Sequence, residues 1–242
     1  LPFESCNLGS INLSLMVNDK GIDYERLRRV VRTSVHFLDN VIDVNLYPLP
    51  RIKEMTLANR KIGLGVMGFA DMLIRLRIPY DSEDALRIAE DLMNFISREG
   101  RRASEELAEK RGEFPNFSSS IYARSGAKKL RNSTITTIAP TGTISIIAGS
   151  SSGIEPIFAV AFIRHVLDGD ELLEVNPLFR KVAEEEGFWT KELLQRISKS
   201  GSIREITEIP ERWRRIFVTS HDISPEWHVR MQAAFQKYTD NA

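Results

Sequence analysis

The sequence holds a single cysteine, Cys6, in 242 residues. One thiol excludes an internal disulfide framework, and four scattered histidines with no Cys-x-x-Cys pair leave no zinc-type cluster. Dithiol chemistry would need a partner from outside this chain. Long apolar runs are missing too: none approaches the roughly 18 residues that cross a bilayer, and no basic, apolar and small-residue leader opens the sequence. A cytoplasmic protein with no membrane partner is expected. Net charge is also absent, with Lys plus Arg and Asp plus Glu at 33 each. Neutralising nucleic-acid phosphates takes a surplus of cations, so no nucleic-acid partner is expected either. No glycine-rich loop ends in Gly-Lys-Ser/Thr, which disfavours a Walker-type nucleoside triphosphatase.

What remains is an ordinary globular composition, 42% hydrophobic and 27% charged. The length suits one large α/β domain or two smaller ones. The chain opens on Leu1-Pro2 and stops at Asp240-Asn241-Ala242, and it reads as an excerpt of a longer protein.

Residues 6–17 alternate loosely around Leu8, Ile11, Leu13 and Leu15, as in an extended segment or buried strand. Asp23 is placed to cap a helix whose Leu27, Val30, Val31, Val35, Leu38, Val41 and Ile42 form one apolar face. Tyr47-Pro-Leu-Pro50 ends it. Residues 61–67 are glycine-rich and 69–76 look helical. Asp81 or Ser82 then opens a long helix with an apolar stripe from Leu86 to Leu107 and Gly112 past its end. The β-branched run 133–139 predicts a strand, and 158–166 a second one. Residues 177–186, 191–198 and 225–238 read as helices, the last capped by Asp222 or Ser224. The four histidines read as structural or surface residues.

Two glycine-bearing segments carry functional content. The strand predicted at 133–139 runs into Pro140-Thr141-Gly142-Thr143-Ile144-Ser145. Glycine allows close backbone approach, successive N–H groups converge on an anion, the hydroxyls of Thr141, Thr143 and Ser145 add donors, and a following helical turn adds its dipole. A phosphate cradle and a ligand-free, threonine-capped turn both fit these residues. The second segment, Gly63-Leu-Gly65-Val-Met-Gly68, matches Gly-x-Gly-x-x-Gly. Its context is poor for an NAD-dependent dehydrogenase, because the strand before it is short and the acidic residue expected about 20 positions on falls at a helix start. Close packing of a strand against a helix explains these glycines more simply.

Several blocks together resemble one family. Glu4-Ser-Cys-Asn-Leu-Gly-Ser-Ile-Asn-Leu13, Ala139-Pro-Thr-Gly-Thr-Ile-Ser145 with Ser152-Gly-Ile-Glu-Pro156, Ser220-His-Asp-Ile-Ser-Pro-Glu-Trp-His228, and Phe235-Gln-Lys-Tyr-Thr-Asp-Asn-Ala242 are similar to the catalytic chain of class II, adenosylcobalamin-dependent ribonucleotide reductases. Phe37-Leu-Asp-Asn-Val-Ile-Asp-Val44 and residues 60–68 fit as well. The resemblance implies an α/β fold, the second half of that family's ten-stranded α/β barrel, with residues 1–242 as a single partial domain.

It also implies a function. In the family a thiyl radical removes the ribose 3′-hydrogen, the 2′-hydroxyl leaves as water, and two further cysteines supply the electrons and end as a disulfide. Cys6 matches one of that reducing pair, its partner coming from the absent first half. The radical cysteine would lie in an Asn-x-Cys-x-Glu motif just upstream of Leu1. Pro140, Thr141, Gly142, Thr143, Ile144 and Ser145 match the substrate-phosphate loop. Glu155 is read as a structural carboxylate beside it. Implied partners are a ribonucleoside diphosphate or triphosphate, a thioredoxin-like or glutaredoxin-like reductant, nucleotide effectors bound outside this segment, and a second copy in a full-length homodimer. Adenosylcobalamin is the implied cofactor, with no contacts assigned. A phosphate-binding module without redox chemistry is the alternative.

Overall fold

A computed structural model of the chain describes residues 2–165 and 171–240. Leu1, Asn241 and Ala242, the last two at the end of the final matched block, and Val166, the expected end of the second strand, lie outside them.

The extended N-terminal segment forms β1 (Asn7–Asn12), a 3-10 turn at Leu13–Leu15, and a short hairpin of β2 (Val17–Asn18) and β3 (Gly21–Ile22). In α1 (Tyr24–Val44) the Asp23 carboxylate accepts the Arg26 N–H, and Leu27, Val31, Val35, Leu38 and Ile42 are buried at helical spacing. Pro50 does more than stop a helix: it is the first residue of another, α2 (Pro50–Asn59), where its missing N–H costs nothing.

Next, β4 (Ile62–Met67) pairs in parallel with β1, from Asn7 opposite Ile62 to Asn12 opposite Met67. Gly63 and Gly65 therefore lie inside a strand. The dinucleotide fingerprint needs its glycines in the turn after one, so the dehydrogenase alternative fails on geometry. The packing reason for these glycines also differs from the expected one, because both face a neighbouring extended segment at Thr137 and not a helix. Gly68, in the left-handed region at φ 71°, starts α3 (Phe69–Leu76).

In α4 (Glu83–Arg111) the cap is Ser82, whose hydroxyl accepts the Ala85 N–H; acids occupy the first turn, and Lys110 and Arg111 the last, matching the helix dipole. After a 3-10 turn at Pro115–Ser119 and α5 (Ile121–Arg124), residues 133–139 run alongside β4 without becoming a regular strand. Ile62 N–H donates to Thr134 O, Leu64 N–H to Ile135 O, and Thr137 N–H to Leu64 O, with one isolated bridge between Leu64 and Thr136. Within this stretch the N–H groups of Ile135 and Thr136 donate to the Asp240 carboxylate, at 2.8 and 3.1 Å.

The remaining elements are α6 (Gly142–Ala148), the antiparallel pair β5 (Ala161–His165) and β6 (Glu171–Val175), α7 (Pro177–Glu185), α8 (Lys191–Ser200), α9 (Glu211–Ile216) and α10 (Pro225–Gln236). The strand expected from residue 158 begins at Ala161, and α9 had no clear periodic signal. Ser224 takes the cap position of α10 without a side-chain bond. Asp222 is committed elsewhere, accepting from Thr219 N–H and from the Ser202 hydroxyl.

The alternation of a strand sorts side chains onto two faces. Asn7 and Gly9 lie against Leu38 of α1, and their partners Ile62 and Leu64 are buried beneath the helices. Leu8, Ser10, Gly63 and Gly65 fall on the opposite face, together with Cys6, which precedes β1. One hydrophobic cluster runs from Ile11 to Phe235 behind this sheet. At the start of the strands, fully buried Asp39 accepts from Arg60 Nε and Nη2 at 2.9 and 2.8 Å and from Asn132 Nδ2 at 3.0 Å, tying α1 to the chain before β4 and before residue 133. The barrel wall is not closed among the described residues: β1, β4 and the segment at 134–137 form a parallel arc.

A Cβ on Gly65 would lie 2.4 Å from the Thr137 carbonyl oxygen, whereas one on Gly63 would meet the ends of the Leu8 and Thr137 side chains at 2.6 and 2.8 Å. Backbone yields less readily than side-chain ends. Gly65→Ala is expected to cost about 2–3 kcal/mol and Gly63→Ala about 1 kcal/mol. Denaturant titration of the two variants checks this, and equal costs would contradict it.

Candidate functional site

The arc of parallel strands ends in the segment predicted to hold an anion. Thr141 sits at φ 54°, ψ 24°, a left-handed conformation that strains a β-branched residue by about 1–3 kcal/mol. What holds it there is a buried hydrogen bond: the Thr141 hydroxyl accepts the Gly153 N–H at 2.7 Å. The turn launches α6, and Ser145 N–H returns to Thr141 O at 2.9 Å. The N–H groups of Gly142, Thr143 and Ile144, in the helix's first turn, have no partner among the described residues, as helix geometry requires of that turn. Gly142, Thr143 and Ile144 are exposed, and a Cβ on Gly142 would meet nothing within 4 Å. Pro140 is exposed beside them.

The six expected residues thus divide in two. Three free N–H groups and the exposed Thr143 face outward. Thr141 and Ser145 turn inward: Ser145, 1% exposed, has its hydroxyl 3.2 Å from Gly142 O and 3.0 Å from the Ser152 hydroxyl. In this conformation these two hydroxyls brace the loop. Glu155 is exposed, with its N–H on Ser152 O.

Behind the loop lies a cavity of about 490 Å³ lined by Asp71, Arg75, Ser145, Ser150, Ser151 and Glu155 among others. Asp71 had no signal in the sequence, because its partners lie some 80 positions away. It is 7% exposed and accepts the Ser151 N–H at 2.6 Å. Burial raises its pKa, while the Ser151 bonds and Arg75 act against that rise.

Cys6 lies on the sheet face away from α1. Its Sγ stands 3.4 Å from the position a Gly63 Cβ would take, and the Thr137 methyl 2.8 Å from the same point. Without a side chain at Gly63, thiol and Thr137 approach across β4, three residues before Pro140. The thiol is exposed and donates weakly to Asn7 O at 3.4 Å. Partial desolvation pushes its pKa up, Lys61 pulls it down and Glu4 pushes it up again. Burial also raises Glu4, but bonds from Lys61 and Asn59 hold it below the usual carboxylate value. The arrangement keeps Cys6 a thiol at neutral pH and does not activate it as a thiolate.

Three of the histidines make contacts within the fold. His36 Nε2 accepts from Arg111, His228 Nε2 lies 3.1 Å from Ser220 O, and His221 stands edge-on to Phe158. No group of three His, Cys, Asp or Glu side chains among the described residues is placed to hold a metal ion. No helix among them is long and apolar enough to cross a membrane.

Known proteins are similar to this chain in sequence and fold. The family model of the ribonucleotide reductase barrel domain matches residues 2–129 and 125–242. A vitamin B12-dependent ribonucleoside-diphosphate reductase of Thermoplasma acidophilum is 58% identical over the whole chain, and one of Mycobacterium tuberculosis 51%. The chain spans 31% and 34% of their lengths. Among solved structures, the alpha subunit of an Actinobacillus ureae class Id ribonucleotide reductase superposes with a TM-score of 0.78 at 26% identity, over 97% of this chain and 42% of that one. With the barrel-domain model matching across residues 2–242, this chain belongs to the ribonucleotide reductase barrel-domain family.

Proposed function

We propose that residues 1–242 are a single partial domain, the second half of the catalytic barrel of an adenosylcobalamin-dependent ribonucleotide reductase, supplying the substrate-phosphate loop and one of two reducing thiols. The observation that carries the reading is the strained Thr141 turn, which aims three unpartnered N–H groups outward at the end of the strand arc that carries Cys6 near its start. Backbone donors at a helix start suit phosphate oxygens.

In the proposed reaction the ribose 2′-hydroxyl leaves as water, the Cys6 thiol and a second thiol from the rest of the protein together give two electrons and two protons, and the two sulfurs end joined as a disulfide. A dithiol protein of the thioredoxin or glutaredoxin type then reduces that bond by exchange. Cys6 is suited to donate, since it stays protonated at neutral pH.

Adenosylcobalamin would supply the radical. The cavity behind the loop, about 490 Å³, is sized for a small ligand and not a corrinoid, so no site for it is assigned among the residues described. No step is assigned to this chain through the cofactor. Nucleotide effectors, a homodimer and a cytoplasmic location belong to the same proposed reading. A module that binds phosphate without redox chemistry is the less favoured reading, because the B12-dependent reductases match across the thiol segment as well as the loop.

The test is an assay of the full-length protein with adenosylcobalamin, a dithiol, and a ribonucleoside diphosphate or triphosphate in parallel. Deoxynucleotide with one equivalent of oxidised dithiol is expected from one of the two substrates. Nucleotide binding without deoxynucleotide would sink the redox reading, as would a full reading frame lacking Asn-x-Cys-x-Glu before Leu1.

A further inference from the structure

The phosphate loop does not hold its own shape. Thr141 is fixed by the Gly153 N–H and Ser145 by the Ser152 hydroxyl, so the segment 150–154 acts as a splint lying under the loop. That splint is held from α3. Gly68 N–H donates to Ser151 O at 2.8 Å, the Asp71 carboxylate accepts Ser151 N–H at 2.6 Å, and Asp71 N–H reaches the Ser151 hydroxyl at 3.4 Å. From the other side the Tyr80 hydroxyl donates to Ile154 O at 2.7 Å. Ser151 is thus gripped at both its N–H and its C=O by the first turn of one helix.

Of these contacts the Asp71 one involves a buried carboxylate. Placing such a group at 7% exposure is costly unless its hydrogen bonds repay it. A merely structural position on an otherwise apolar helix face, where Phe69, Ala70, Met72, Leu73 and Ile74 are buried, would be filled more cheaply by an apolar residue. The carboxylate is short-bonded to the one N–H that sets the height of the splint.

We propose that Asp71 is a positioning residue for nucleotide binding: through Ser151 it holds the 150–154 splint, which in turn holds Thr141 in its left-handed turn and keeps the three loop N–H groups convergent. This inference rests on the reading of residues 140–145 as the phosphate site. In this role Asp71 acts through Ser151, so its effect falls on phosphate affinity and not on the chemical step.

The experiment uses the full-length reductase with its cofactor. It reads nucleotide KM, kcat and the competitive inhibition constant of inorganic pyrophosphate. Asp71→Ala removes the acceptor and is expected to raise both KM and the pyrophosphate constant about ten-fold, the effect of losing one hydrogen bond to a charged group, with kcat within about two-fold. Asp71→Asn keeps an oxygen that accepts the Ser151 N–H, and is expected to restore both constants to within about three-fold of the parent. If Asp71→Ala does not fold, Asp71→Glu carries the test: its displaced carboxylate should raise the pyrophosphate constant at least about three-fold.

Parental constants in Asp71→Ala or, where that variant fails, in Asp71→Glu overturn the proposal. So does an Asn variant as impaired as Ala, or a fall in kcat with pyrophosphate binding intact. Gly142→Asp in the same assay separates the two layers. If it leaves pyrophosphate binding unchanged, the phosphate-site reading itself falls; if it weakens binding and Asp71→Ala does not, only the role of Asp71 falls.

Discussion

Replacing Cys6 by Ser in the full-length protein is expected to lower sustained deoxynucleotide formation with a dithiol by on the order of a hundred-fold or more, because a hydroxyl cannot enter a disulfide. Nucleotide affinity should stay within about two-fold of the parent, since the thiol lies near the start of β1 and the loop at the far end of the strand arc. Steady-state turnover and equilibrium nucleotide binding, measured on the same preparation, read the two quantities separately. Unchanged turnover would take Cys6 out of the reducing pair and leave this chain with a phosphate-binding role alone. The thiol offers an independent check. Its pKa is raised, so alkylation at neutral pH should be slow and should accelerate as pH climbs past the ordinary cysteine value. Lys61 lowers that pKa, so Lys61→Met should slow alkylation further at any given pH.

The second large effect is at Gly142. Its φ is not positive, and a Cβ there meets nothing within 4 Å, so Gly142→Asp fits the fold. The new carboxylate stands at the first position of α6, where it stabilises the helix dipole by about 0.3–1 kcal/mol. It also stands where the substrate's phosphates would bind. Two like charges about 4 Å apart repel by about 4 kcal/mol at a protein-surface dielectric, so nucleotide affinity should fall about a hundred-fold or more, and less steeply at high salt. Stability and binding are thereby expected to move in opposite directions. Thermal unfolding together with nucleotide titration checks the pair, and a variant that binds nucleotide normally would remove the loop from the substrate site.

Much of this site is legible in local sequence. By residue type the Pro-Thr-Gly-Thr turn, the helix it opens and the small residues that follow fit an anion cradle and a ligand-free turn alike, and it is the resemblance of the blocks around them that favours the cradle. The donors themselves are backbone groups whose exposure follows from helix geometry alone. Which hydroxyls join them is a different matter. Thr141 and Ser145 carry suitable side chains, yet both point inward, because Gly153 and Ser152 meet them there. The same holds for Asp71, an acid in the first turn of a helix with nothing nearby in sequence to distinguish it from an ordinary capping residue.

The strands show where pattern fails. Residues 133–139 have strand composition, but Asp240, more than a hundred positions away, takes two of their N–H groups. Gly63-x-Gly65 looks like a nucleotide turn and is a strand stripped of side chains so that the Thr137 segment can lie against it.

The sequence by itself determined the long helices, with Asp23 capping α1 and the start of α4 at Asp81 or Ser82, the Pro-Thr-Gly-Thr turn with its free N–H groups, and the position of the thiol. Each depends on neighbours within a few residues, where spacing, capping and glycine act directly. Only the tertiary structure decided which hydroxyls face inward, which carboxylate holds the loop, and why β4 needs glycine. Those outcomes depend on groups brought together from distant parts of the chain, and a buried polar atom takes whichever partner packing delivers.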